Sequence, residues 1–247
     1  MAEPERVSRE DGETIAYLRR WGKTPTVVWL GGFKSDMFGA KAQALAAWAD
    51  PNDRAFLRFD YFGHGASSGD FRKGTISRWR ADTLAAIDRL TDGDLVLVGS
   101  SMGGWLALLA GQARAARIKA MLLLAPAVDF TQTLLEKQLP DEARKCIEEK
   151  GEWLWPSGYD EEPYPITRAL LEDGRKHLLF GTQMDLAVPI RILQGMKDPD
   201  VPWQHAVKLA EQLKGDVELT LIPQGEHRLS TPADLARMIR VLEELLD

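Results

Sequence analysis

The chain holds a single cysteine, Cys146, among 247 residues. No intrachain disulfide can form, and neither a cysteine-built metal cluster nor a disulfide scaffold is available, which fits a reducing compartment. An excess of positive charge is missing as well: 31 Lys and Arg stand against 37 Asp and Glu, a net of −6. Nucleic acid and anionic bilayers recruit cations, so neither is an expected partner, and a small or neutral substrate fits better. Long apolar runs are absent. The stretch "MLLLAPAV" at 121–128 falls far short of the roughly 20 residues that span a bilayer, so it reads as a buried strand and no stable membrane insertion is expected. The first twenty residues show no basic segment followed by an apolar block, and their early acids do not suit a transit peptide. The expected location is therefore cytoplasmic. Internal repeats and low-complexity linkers are also lacking.

What is present is a 45% hydrophobic composition, enough to build a substantial core in a single α/β domain over 1–247. Short apolar or β-branched runs alternate with helical patterns. Strands are expected at 13–18, 26–32, 55–60, 95–100, 118–127, 190–195 and 217–223, and helices at 40–48, 76–90, after Ser101, 203–214 and 232–246. Continuous apolar strands separated by helices imply a mostly parallel sheet covered on both faces. One stretch breaks the rhythm: about 60 residues between Ala127 and Ile190 exceed a single crossover helix, and they carry Trp153, Trp155, Tyr159 and Tyr164. An inserted helical cap over 128–187 is expected there. The alternative is a surface excursion whose aromatics pack on their own helices.

"GSSMG" at 99–103 satisfies G-x-S-x-G with Ser101 at its centre, after an expected strand and before an expected helix. That context is the one a nucleophile elbow requires, because the tight turn needs small flanking residues and lifts the serine above the sheet. The competing reading is a serine helix cap, and Ser100 is expected to act only as support. A serine hydroxyl is a poor nucleophile until a base takes its proton, and the base needs an orienting acid. Of the four histidines, His227 follows the last strand, as the chain order Ser, Asp, His requires. The acid should follow the strand at 190–195, where "GMKDPDVP" supplies Asp198, the favoured residue, and Asp200, the other candidate.

Oxyanion donors are expected from the backbone N–H of Met102, next after the nucleophile, and of Phe33, where Gly31 and Gly32 let the chain approach. Gly32, Met37, Phe38, Trp105, Trp153 and Trp155 are expected to line an apolar acyl site, with Tyr159 and Tyr164 beside them; the alternative is that Trp105 is core and the cap aromatics hold only the cap together. "FDYFGHGASSG" at 59–69 lacks the full G-x-G-x-x-G and a Walker lysine, so it reads as a shaping turn rather than a phosphate loop. His64 has no clustered partners as a metal ligand, and no metal or organic cofactor is expected.

The segments "LGGFKSDM", "FDYFGHGASSG", "GSSMGGWLAL", "GMKDPDVPW" and "GEHR" resemble the α/β-hydrolases related to mitochondrial palmitoyl-protein thioesterase, also described as mycophenolic acid acyl-glucuronide esterase. The resemblance runs from about residue 26 to the carboxyl end and implies an α/β-hydrolase fold. It also implies Ser101 as nucleophile, Asp198 as acid, His227 as base, and an ester, thioester or acylated protein as substrate. The amino terminus shows no presequence, so the mitochondrial location is not implied. The same three residues would serve a lyase or a cofactor-free haloperoxidase, and a silent binding module on the same fold is the other alternative.

Overall fold

The computed structural model describes residues 3–156, 163–184 and 186–247. In chain order the elements are β1 (Glu5–Ser8), β2 (Thr14–Arg20), β3 (Lys23–Leu30), α1 (Ala40–Ala49), β4 (Arg54–Phe59), α2 (Ile76–Leu90), β5 (Leu95–Ser100), α3 (Met102–Ala113) and β6 (Ile118–Leu124). There follow α4 (Glu136–Gln138), α5 (Asp141–Lys150), β7 (Glu152–Trp155), β8 (Tyr164–Thr167), α6 (Arg168–Gly174), β9 (Ile190–Gly195), α7 (Trp203–Gln212), β10 (Val217–Ile222) and α8 (Pro232–Glu244).

Eight strands form one sheet in the order β1-β2-β4-β3-β5-β6-β9-β10. β2 runs antiparallel to β1 and β4, and every other pairing is parallel. The central strands are apolar on both faces, and their alternation splits the core in two. Val28, Leu30, Leu95, Leu97, Met121 and Leu123 join Trp79 of α2, Trp105 of α3 and Leu209 of α7. Val27, Trp29, Val96, Val98, Leu122 and Leu124 join Leu45 of α1 and Met238 of α8 on the other face.

Local chemistry sets the helix starts. The Thr75 hydroxyl accepts the Arg78 N–H at 3.2 Å to open α2. Thr231 and Asp234 form a reciprocal capping box at α8, with Pro232 at its first position.

Between β6 and β9 the chain leaves the sheet. A π-helical turn (Thr131–Leu135), α4, α5, the antiparallel hairpin β7–β8 and α6 fill this excursion. It has a small core of its own, built on Leu139, Ala143, Ile147, Ile166 and Leu171, against which Trp153, Trp155 and Phe33 pack. The insertion is therefore mixed rather than wholly helical, the four-residue strands "EWLW" and "YPIT" being too short to show a period. β1 also lies outside the expected set: it is a polar edge strand paired only with β2. Among the described residues no helix is long and apolar enough to cross a membrane.

Candidate active site

The β5–α3 turn carries the serine. Ser101 has φ 54° and ψ −120°, a left-handed conformation that costs a non-glycine residue of order 1–3 kcal/mol and persists only where its surroundings enforce it. They do so here: the Ser101 N–H donates to the Leu124 carbonyl at 2.9 Å, and the Ser101 carbonyl accepts the Ala127 N–H at 3.1 Å. A Cβ on Gly103 would collide with the carbonyl oxygens of Leu30 and Gly31, so only glycine lets α3 start this close to β3. Ser101 occupies the N-cap position of α3, yet its hydroxyl makes no capping bond. The helix-cap alternative is thereby excluded. Its Oγ lies instead 3.1 Å from Nε2 of His227.

His227 sits in the loop after β10, and its Nδ1 lies 2.8 Å from Oδ2 of Asp198. Asp198 follows β9, with its side chain wholly buried. Its Oδ1 accepts the N–H groups of Asp200 and Val201 at 2.9 and 2.8 Å, and its Oδ2 also accepts Nε2–H of Gln194 at 3.1 Å. This network aims one carboxylate oxygen at the imidazole. It holds the Nδ1–H tautomer and leaves Nε2 as an acceptor facing Ser101. Asp200 is exposed, and a carboxylate oxygen of it lies within 4.8 Å of the same groups. The 2.8 Å bond is the one made by Asp198.

A cavity of about 380 Å³ opens over Ser101 and His227. Gly32 and Phe33, from the loop after β3, and Tyr164 of the insertion line it. A Cβ on Gly32 would stand 3.3 Å from the Ser101 Cβ, so the loop that continues through Phe33 starts against Ser101. Met102 is the first residue of α3, where backbone N–H groups have no partner within the helix.

Other expected lining residues lie elsewhere. Met37 is fully buried in the core, its N–H donating to Asp60. Trp105 is fully buried under α3, its indole N–H donating to the His177 carbonyl at 3.1 Å. Phe38 is half-buried beneath the Arg58 guanidinium, outside the cavity wall. Trp153 and Trp155 pack on the core of the insertion. Tyr159 lies outside the described residues. Ser100, though largely buried, contributes to the wall.

Sequence reasoning missed the charge of this wall: Lys34, Lys41 and Arg228 line the cavity, with Asp36 as the acid among the described lining residues. Lys41 is bonded through Nζ to the carbonyl of Arg228. Burial first, and the neighbouring Arg228 charge second, bring its pKa down to about 8. Two lysines within ten residues of the Gly31-Gly32 pair, and an arginine adjoining His227, were the available signal.

A strained serine over the carboxyl edge of a parallel sheet, joined to a histidine and a buried aspartate from later loops, is the arrangement of one fold class. Residues 19–238 match the alpha/beta hydrolase family, and the chain belongs to it. Within the family it is similar to palmitoyl-protein thioesterase ABHD10, mitochondrial, of Mus musculus, with 38% identity over 98% of this chain and 82% of the mouse protein. The Homo sapiens protein of the same name is also 38% identical, over 98% of this chain and 79% of its own. The solved structure of alpha/beta hydrolase domain-containing protein 10 from mouse superposes with a TM-score of 0.92 at 36% identity, covering 100% of this chain and 99% of that one. A crystal structure from Agrobacterium vitis S4 reaches 0.95 at 44% identity, covering 99% of each chain.

Proposed function

We propose that the protein is a serine hydrolase of carboxylic esters and thioesters, acting through Ser101, His227 and Asp198. The observation that carries this reading is the continuous chain of contacts from Asp198 Oδ2 through the imidazole to Ser101 Oγ, at 2.8 and 3.1 Å, opening on a cavity. Ser101 Oγ attacks the carbonyl carbon while Nε2 of His227 takes its proton. The carbonyl oxygen becomes an oxyanion, met by the Phe33 and Met102 amides. The tetrahedral intermediate collapses with loss of the alcohol or thiol, and the imidazolium gives up its proton, directly to a basic leaving group or to solvent when a weakly basic thiolate departs, so that His227 is neutral again. A water deprotonated by His227 then attacks the acyl-enzyme, releasing the acid and restoring Ser101. Asp198 stabilises the imidazolium and keeps its orientation.

The relatives' name, palmitoyl-protein thioesterase, makes a long-chain thioester on a protein one substrate to test, with a cytoplasmic location proposed alongside. The cationic wall favours a second reading, an acyl-glucuronide type of ester whose leaving group carries a carboxylate. Covalent labelling by a fluorophosphonate in wild type but not in Ser101→Ala, followed by a panel of p-nitrophenyl esters, acyl thioesters and acyl glucuronides, tests both readings. Products other than acid plus alcohol or thiol would favour a lyase or haloperoxidase. Absence of labelling and turnover would favour a binding module.

A further inference from the structure

The segment "FDYFGHGASSG" has no part in the chemistry above, yet three of its side chains grip the loop that follows β3. Tyr61 Oη–H donates to the Gly31 carbonyl at 3.3 Å, His64 Nε2 accepts the Lys34 N–H at 3.2 Å, and Asp60 Oδ1 accepts the Met37 N–H at 2.6 Å. The three contacts fall at every third residue of one loop, with Phe33 inside the span. We propose that Asp60, Tyr61 and above all His64 are positioning residues that fix the 31–37 loop and thereby hold the Phe33 amide beside Ser101. This rests on the ester-hydrolase reading, in which that amide is an oxyanion donor.

Two features make His64 the centre of this cradle. Lys34 has φ 60°, a left-handed conformation that is costly for a lysine. The Ser35 N–H closes this turn on the Gly32 carbonyl at 3.2 Å, and His64 adds a hold from outside the loop directly after Phe33. The ring is also fixed in the form the contact needs. Its Nδ1–H donates to the Phe62 carbonyl at 3.1 Å, which leaves Nε2 unprotonated as the acceptor. It is 3% exposed and packed edge-on against Tyr61, Phe71 and Trp79 at centroid distances of 5.5, 5.0 and 5.2 Å. Burial first, opposed by the Phe62 carbonyl and aided by the Lys34 charge, brings its pKa down to about 4. The imidazole is thus a neutral acceptor throughout the working range of an ester hydrolase.

His64→Phe keeps the aromatic packing and deletes the acceptor, whereas His64→Gln returns one. Four quantities decide: kcat and KM on p-nitrophenyl acetate, affinity for a trifluoromethyl ketone that forms a tetrahedral adduct, and hydrogen exchange of the Lys34 amide. Loss of a whole oxyanion donor costs about 10²–10³ in kcat, so a displaced donor should cost His64→Phe about 10- to 100-fold. KM should stay within about twofold, ketone affinity should fall in step with kcat, and Lys34 exchange should accelerate, since only transition-state contacts are lost. His64→Gln should recover most of each. A folded His64→Phe that retains kcat, loses only KM, or matches His64→Gln overturns the proposal. Should His64→Phe not fold, His64→Gln decides by itself: slow Lys34 exchange with kcat near wild type supports the cradle, and fast exchange with unchanged kcat overturns it. If wild type turns over no ester, the hydrolase reading fails, while Lys34 exchange still reports the contact.

Discussion

Asp198→Asn is the sharpest test of the site, because the surrounding donors dictate how the amide must sit. Oδ1 receives two backbone N–H groups, from Asp200 and Val201. The asparagine oxygen must take that place, since an NH2 there would face two donors. The NH2 then occupies the Oδ2 position and points at His227 Nδ1, which has to present its lone pair. The imidazole proton is driven to Nε2, and the atom facing Ser101 becomes a donor instead of a base. Gln194 Nε2 loses this acceptor but keeps the carbonyls of Gly195 and Val201, so folding should lose only about 1 kcal/mol. Catalysis should lose about 10⁴ in kcat, close to 5.5 kcal/mol, as in other serine triads whose acid becomes an amide. Stopped-flow release of p-nitrophenol measures the acylation rate, and a thermal melt measures the fold. Asp200→Asn should lower kcat by less than about tenfold, its carboxylate being exposed. A tenfold or smaller loss in Asp198→Asn, with a larger loss in Asp200→Asn, would refute this assignment of the acid.

Three further outcomes are expected. Lys41→Met should reduce the preference for a carboxylate-bearing over a neutral leaving group about tenfold, the worth of a partly screened charge-assisted contact. In wild type the same preference should decline as pH rises through about 8, where Lys41 becomes neutral, and steady-state kinetics on paired esters reads both effects. Trp105→Ala should destabilise the fold by about 3–5 kcal/mol, and neither it nor Trp153→Ala should alter the dependence of kcat/KM on acyl chain length, because both rings pack away from the cavity. In denaturant titrations across pH, wild type should lose about 3 kcal/mol relative to His64→Phe between pH 6.5 and 4. The unfolded histidine takes a proton near 6.5 and the folded one only near 4, so stability falls on acidification. Asp60 and Asp82, whose pKa values burial raises to about 6, act in the opposite sense and cancel in the comparison.

Legibility in the sequence followed the range of each interaction. α2 coincides with its expected 76–90 span because its apolar spacing and the Thr75 cap are local signals. The serine at the turn was readable for the same reason. Trp105, expected in the acyl site with core as the alternative, is core: its place one turn along α3 says little about where the ring points, because Ser101 itself has no helical backbone. Its ring faces the His177 segment instead. Lys41 and Arg228 stand 187 residues apart, and their contact exists only once α1 and the loop after β10 meet at the same edge. The motif at 59–69 was seen as a shaped turn, but what it shapes is another loop, reached through three long-range hydrogen bonds.

The parallel pairing of β6 with β9, Met121 opposite Ile190, gives the insertion two separable obligations. The chain leaves β6 at its carboxyl end and must re-enter β9 at its amino end, on the opposite edge of the sheet, a return that takes a dozen or more residues. The stretch after Thr167, which holds α6, leads to Pro189 and makes that return, while the ascending part before it, with α5 and the β7–β8 pair, builds a small core of its own. These two stretches should therefore tolerate change very differently. Replacing the ascending part by a short loop alters the roof of the cavity and leaves the sheet its connection, whereas shortening the descending part severs the route by which β9, with Asp198 in the loop after it, reaches its place. Substrate range can be redesigned on one side of Thr167 without touching the scaffold that aims Asp198 on the other.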